Sequence, residues 1–228
     1  MDFLRLCQRL AVESGTVGAG NQPISVDGQT GRLASIVEWV RQAYAEIQNE
    51  RVSWRWLRAE FSAETTAGTP RYTAAGWNLP RFAEWVDVTG DGMSIYRTAD
   101  GPGTEQSMRE IPFEDWRRRF DRGAQQQSFP GQWSISPAGE FLVGPIPDDT
   151  YTIRGEYRKA PQILTANTDI PEMPERFHMA IVYRAMMLLA EYDEGGVAMA
   201  TAARKYAEMM NDLRRDGLPR VMIGPPLA

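Results

Sequence analysis

The residues able to do chemistry in this chain are few, and their spacing narrows what they could do. There is one cysteine, Cys7, and one histidine, His178. A single thiol excludes an intramolecular disulfide and any zinc site built on several cysteines, and a single imidazole excludes a two-histidine metal site. His178 opens an apolar segment and reads as a hydrogen-bonded packing residue before it reads as an acid–base catalyst. Cys7 falls on an apolar helix face and reads as a small core side chain. Paired carboxylates serve glycoside hydrolysis, and Glu114-Asp115, Asp148-Asp149 and Asp193-Glu194 are the adjacent acid pairs nearest to turns or helix ends. Acids beside turns more commonly stay solvated or accept from backbone amides. A carbohydrate hydrolase using acids such as Glu140 and Asp148 is therefore an alternative, not the leading reading. Gly15-Thr16-Val17-Gly18-Ala19-Gly20 is glycine-rich, but no strand precedes it and no lysine follows, so it lacks what a phosphate cradle needs. There is no Gly-x-Ser-x-Gly elbow for a serine nucleophile.

Two clusters could bind rather than react. Trp116-Arg117-Arg118-Arg119-Phe120-Asp121-Arg122 carries Arg117, Arg118, Arg119 and Arg122. It is either a solvated helical turn or a contact for an acidic partner or phosphate. Trp54-Arg55-Trp56-Leu57-Arg58 places two indoles beside cations. Packing of helix on sheet is the first reading, and stacking on single-stranded DNA, with Arg117 to Arg119, is the second. The overall charge weighs against general nucleic-acid binding: 25 basic and 30 acidic side chains give a net charge of −5. Duplex affinity comes mainly from counterions released by positive charge. Only Lys159 and Lys205 are lysines, so the cations are nearly all arginines, which suit planar bidentate contacts.

The elements that must position these residues differ along the chain. Residues 2–13 place Phe3, Leu6, Cys7 and Leu10 on one helical face. After a Gly-rich connection, Thr30 is the expected N-cap of a helix over 32–49, with Leu33, Ile36, Val37, Val40, Tyr44 and Ile47 in one stripe. From about Trp54 the pattern breaks. Nine of the 15 prolines fall between 54 and 164, and Gly-containing turn signals recur. Short antiparallel strands are expected, the clearest over Thr150–Arg158, where Tyr151, Ile153, Gly155 and Tyr157 alternate with polar residues. Phe141–Val143, Trp133–Ile135 and Met93–Tyr96 are further strands, and Pro112–Arg122 is a short helix. Pro174–Tyr192 has almost no polar face and reads as a buried central helix, followed by a helix over 197–215. The expected fold class is α+β: a helical bundle from 1–53 and 165–216, an inserted antiparallel β-rich domain over 54–164, and an extended arm over 217–228.

With 228 residues and 43% hydrophobic content the chain can bury a core. Arg5 and Arg9 interrupt the N-terminal apolar residues, so no signal peptide is read. The longest apolar stretch, 180–190, is about half of the roughly 20 residues a bilayer span needs. Synthesis in the cytoplasm, no membrane partner, no cofactor and no small-molecule substrate are expected.

The order of several motifs resembles a known family. These are Gln29-Thr30-Gly31 with the helix after it, Trp54-Arg55-Trp56-Leu57, and Trp133–Leu164 with Tyr151-x5-Tyr157-x3-Pro161. Asp169-Ile170-Pro171-Glu172-Met173-Pro174-Glu175-Arg176-Phe177-His178 then leads into the apolar helix. Together they resemble the head-to-tail adaptor proteins of tailed phages, nearest to the tail tubular protein A type of short-tailed phages. Residues 105–130 carry no part of the resemblance. It implies a non-enzymatic virion protein at the head–tail junction, a homo-oligomeric ring, typically of twelve copies. The ring lies between the portal protein and a tail or nozzle protein, and double-stranded DNA passes through it without specific binding. It also implies that Arg220, Val221, Met222, Ile223, Pro225, Pro226 and Leu227, in the apolar non-helical arm, contact the portal or a neighbouring subunit. A head-completion or tail-terminator protein of a long-tailed phage is the alternative within the same class.

Overall fold

The computed structural model describes residues 1–15, 22–51, 54–87, 92–193 and 196–217. Along the chain run α1 (Phe3–Glu13), α2 (Gly31–Asn49), β1 (Arg58–Glu64), β2 (Arg71–Tyr72), β3 (Phe82–Val86), β4 (Ser94–Arg97), β5 (Gln106–Ser107) and β6 (Arg109–Glu110). Then come α3 (Phe113–Phe120), β7 (Gln132–Ile135), β8 (Phe141–Gly144), β9 (Tyr151–Lys159), α4 (His178–Tyr192) and α5 (Gly196–Gly217). The fold is α+β. The chain divides into a helical unit, Met1–Leu57 with Pro161–Ala228, and a β unit, Arg58–Ala160. The glycine-rich loop over 16–20, the turn at 89–91, Glu194 and the arm residues 218–228 lie outside the described residues.

The helical unit is organised around α4. Ala180, Ile181, Val182, Ala185, Leu188, Leu189 and Ala190 are buried on several sides of it, which leaves a polar face only at its fringes. Such a helix must be surrounded, and α1, α2 and α5 do so. Each offers a stripe: Phe3, Leu6, Cys7 and Leu10 from α1; Ile36, Val40, Tyr44 and Ile47 from α2; Met210 and Leu213 from α5. At the start of α1 the Asp2 carboxylate accepts from the Arg5 amide at 2.8 Å, satisfying one of the free N–H groups of a helix terminus. Thr30 stands at the N-cap position of α2, but its hydroxyl makes no capping bond.

The β unit is layered. One sheet has the order β1-β9-β4-β5, with β3 also paired to β9, and the other β2-β8-β7-β6. The two sheets enclose a common core, to which the first contributes Phe61, Trp85, Ile153 and Tyr157 and the second Trp133, Phe141 and Val143. Alternation along β8 sends Phe141 and Val143 inward and Leu142 outward, where Leu142 meets Trp116, Phe113 and Phe120 of α3. The Trp116 indole N–H donates to the Val143 carbonyl at 2.9 Å. Residues 105–130, which carry no part of the family resemblance, thus hold the short helix expected over Pro112–Arg122, and it covers the outer face of the second sheet. They also correct the expectation of purely antiparallel pairing: β6 runs parallel to β7. Parallel neighbours need a crossover connection, and α3 lies on that connection.

Gly144, at the end of β8, is where α3 comes closest. A Cβ there would collide with the Phe120 ring. Gly144→Val should therefore lower the unfolding free energy of the β unit by about 1–3 kcal/mol. Phe120→Ala in the same chain should recover part of the loss. Urea denaturation of the four chains of this cycle measures the coupling, and simple additivity would show that α3 does not pack there.

Candidate functional site

The residues singled out for chemistry are occupied structurally. Glu140 accepts from the Ser136 hydroxyl at 3.1 Å and pairs with Arg71 at 3.3 Å. Asp148 accepts from the Tyr151 hydroxyl at 2.6 Å. These partners hold loops; they do not form a paired acid and base. Elsewhere, Asp169 is held below the ordinary carboxylate range by the Thr165 and Ala166 amides, and Asp193 by Arg32. That is the direction opposite to the one a general acid requires. Among the described residues no group of three or more His, Cys, Asp or Glu could hold a metal ion. No described helix is long and apolar enough to cross a membrane.

His178 is buried, with Nε2 donating to the Met173 carbonyl at 3.0 Å and Nδ1 accepting from the Met1 ammonium at 2.8 Å. Burial pushes its pKa down, and the ammonium adds to the effect. The ring is neutral and serves to fasten the turn before α4. Cys7 is fully buried and its thiol is pushed up to about 12. Trp54 is also fully buried, its indole N–H on the Ile47 carbonyl at 2.9 Å and its ring stacked on Trp56 at 4.4 Å. A nucleotide base has no access to the Trp54 face. Instead the pair receives the end of α5: a Cβ on Gly217 would lie 2.6 Å from the Trp56 ring. The candidate contacts Arg220, Val221, Met222, Ile223, Pro225, Pro226 and Leu227 begin just after that anchor and lie outside the described residues.

The arginine cluster divides. Arg117 pairs with Glu114 at 2.7 Å and Arg118 with Asp115 at 2.6 Å, each one helical turn back. The residues three before Arg119 and Arg122 are Trp116 and Arg119, which cannot serve as anions. Both arginines are exposed and, among the described residues, have no ion-pair partner. That difference was readable from the spacing of the acids.

Sequence reasoning missed how the segment 161–173 is held. Gln48, buried in α2, donates to the Gln162 carbonyl at 3.0 Å and accepts from the Gln162 amide at 2.7 Å. The Gln162 side chain accepts from Tyr44 and donates to the Ile170 carbonyl. Further on, the carbonyls of Asn167 and Asp169 accept from the Leu4 and Phe3 amides at the start of α1. This rigidly held segment carries Ile163 and Ile170 at 75% and 61% exposure. A second surface cluster was also missed. Arg32 of α2 lies over the rings of Trp39 and Tyr192 and pairs with Asp193, and Tyr192 is 74% exposed. Tyr192 was expected inside the buried helix; it emerges because α4 ends there. No local spacing signals a contact between residues so far apart in sequence. Trp, Tyr and Arg are the residue types that anchor protein–protein contacts.

The family model described as SU10 adaptor protein matches residues 1–226. No curated protein matches the chain.

The buried imidazole gives the helical unit a defined pH response. The unfolded chain protonates His178 at a higher pH than the folded chain does. Stability is thus complete above the ordinary histidine range and is lost as pH falls through the depressed folded value. Between pH 7 and pH 5 the urea midpoint of the native chain should drop more than that of His178→Gln; equal drops would mean that the ring is not held neutral.

Proposed function

The chain belongs to the SU10 adaptor protein family, and we propose that it works as a head-to-tail adaptor, its copies forming a ring between the portal and the tail of a phage particle. That it is a structural phage protein follows from the family; the ring, its position and its neighbours are our reading. The observation that carries the reading is the extent of the match, which takes in both halves of the discontinuous helical unit and the β unit between them. In this reading the type is that of tail tubular protein A and the ring holds twelve copies. It lines the channel through which double-stranded DNA leaves the head.

Three features support it. Exposed apolar side chains sit on backbone that is tied down, as Ile163 and Ile170 do on the Gln162 segment. A surface of that kind can be buried by a partner at little cost in ordering. The Arg32–Trp39–Tyr192 cluster adds an anchor of the hot-spot type. The net charge of −5 suits a passage that must not retain DNA. The arm over 217–228, with Arg220, Val221, Met222, Ile223, Pro225, Pro226 and Leu227, is read as the portal or subunit contact.

Electron microscopy of the purified chain with portal rings should show a second ring stacked on the portal, and the absence of any such ring would reject the reading. A chain lacking residues 218–228 should unfold at the same urea concentration as the full chain yet fail to join portal rings. Undiminished joining would remove the arm from the contact.

A further inference from the structure

The β unit is three layers deep, the first sheet, the second sheet and α3, and its two outer faces carry opposite unmatched charge. On α3 and the bend just after it the unmatched residues are Arg119 and Arg122, both exposed. On the outer face of the first sheet the register creates a mismatch of the other sign. Glu60 of β1 stands directly opposite Glu156 of β9, and Arg58 directly opposite Arg158. Like charges facing each other across a strand pair are unfavourable. Part of this is relieved nearby: Arg58 turns to Glu156, Arg158 reaches Glu84 at 2.7 Å, and Arg154 reaches Glu105 at 3.4 Å. These pairs use up the three arginines of the face. Glu60 and Glu64 are left exposed and, among the described residues, without a cation. Beside Glu60 lies an open hollow of about 500 Å³, lined also by Ser62, Ser94, Arg154 and Glu156. It is roomy enough for an arginine side chain.

Arg119 and Arg122 cannot fill that need within their own chain. Two sheets stand between them and Glu60, and packed sheets alone are about 10 Å apart, whereas an ion pair needs contact. A second copy can supply them. We propose that the β units of neighbouring copies meet head to tail, with α3 of one copy seated on the outer face of the first sheet of the next. Arg119 and Arg122 then lie against Glu60 and Glu64. The inference rests on the reading of the chain as a ring-forming adaptor and names the contact that builds the ring. Two different faces are joined, so each added copy exposes the same pair again, and a contact of this heterologous kind propagates until it closes. Complementary charge also fixes its register and rejects face-to-face association of like surfaces.

Two measurements test it. In the first, a Glu60→Cys chain is mixed with a size-tagged Arg122→Cys chain under mild oxidation. Cys7 does not compete, being buried with its thiol pushed up to about 12. The mixed disulfide should exceed either same-site product by at least about tenfold through effective concentration. A mixed product no more abundant than the same-site ones would overturn the contact, and this readout decides it even if the native chain stays monomeric. In the second, sedimentation follows assembly of Arg119→Glu/Arg122→Glu, of Glu60→Arg/Glu64→Arg, and of all four in one chain. Each pair alone should abolish assembly, their mixture should assemble with the two chains alternating, and the fourfold chain should assemble again. A native chain that assembles while both paired variants assemble equally well sinks this contact and leaves the ring reading standing. A native chain that forms no assembly, alone or on portal rings, sinks the ring reading.

Discussion

The enclosure of α4 is the constraint from which the architecture follows. A helix with Ala180, Ile181, Val182, Ala185, Leu188 and Leu189 buried cannot present a solvated face along its middle. It has to be wrapped, and the wrapping helices come from both ends of the chain: α1 and α2 before the β unit, α5 after it. The helical unit is therefore discontinuous by necessity. The cross-chain bonds that complete it, such as Gln48 to Gln162, are buried polar contacts that must be satisfied in full to be tolerated.

The same division explains where the polar chemistry went. Side chains that could have formed a reactive site instead hold segments together. His178 fixes the turn before α4, Asp169 gathers the Thr165 and Ala166 amides, and Glu140 joins a hairpin to Arg71. What remains at the surface is the material of recognition, namely exposed isoleucines, an arginine between two aromatic rings and unmatched charges.

Much of this could be read from the order of residues, where the physical signal is local. The stripe of α2 and the alternation of β9 each repeat within a few residues, and both elements lie close to where periodicity puts them. Within 105–130 the short helix was legible, Pro112–Arg122 against α3 at Phe113–Phe120, whereas β5 and β6 are two residues long and carry no period. The candidate surfaces divide in the same way. The pairing of Arg117 and Arg118 follows from acids three residues earlier, and the isolation of Arg119 from Trp116 at that place. The contact of Arg32 with Tyr192 joins residues far apart in sequence, for which a single sequence has no spacing rule.

Strands β1 and β9, through which the chain enters and leaves the β unit, are paired partners, with Arg58 facing Arg158. Residues facing each other in an antiparallel pair have Cα atoms about 5 Å apart. The insert thus begins and ends at almost one point, and the host helices need span only a small gap whatever lies beyond. Such an insert can be lengthened or shortened at its far loops while its two ends keep their place.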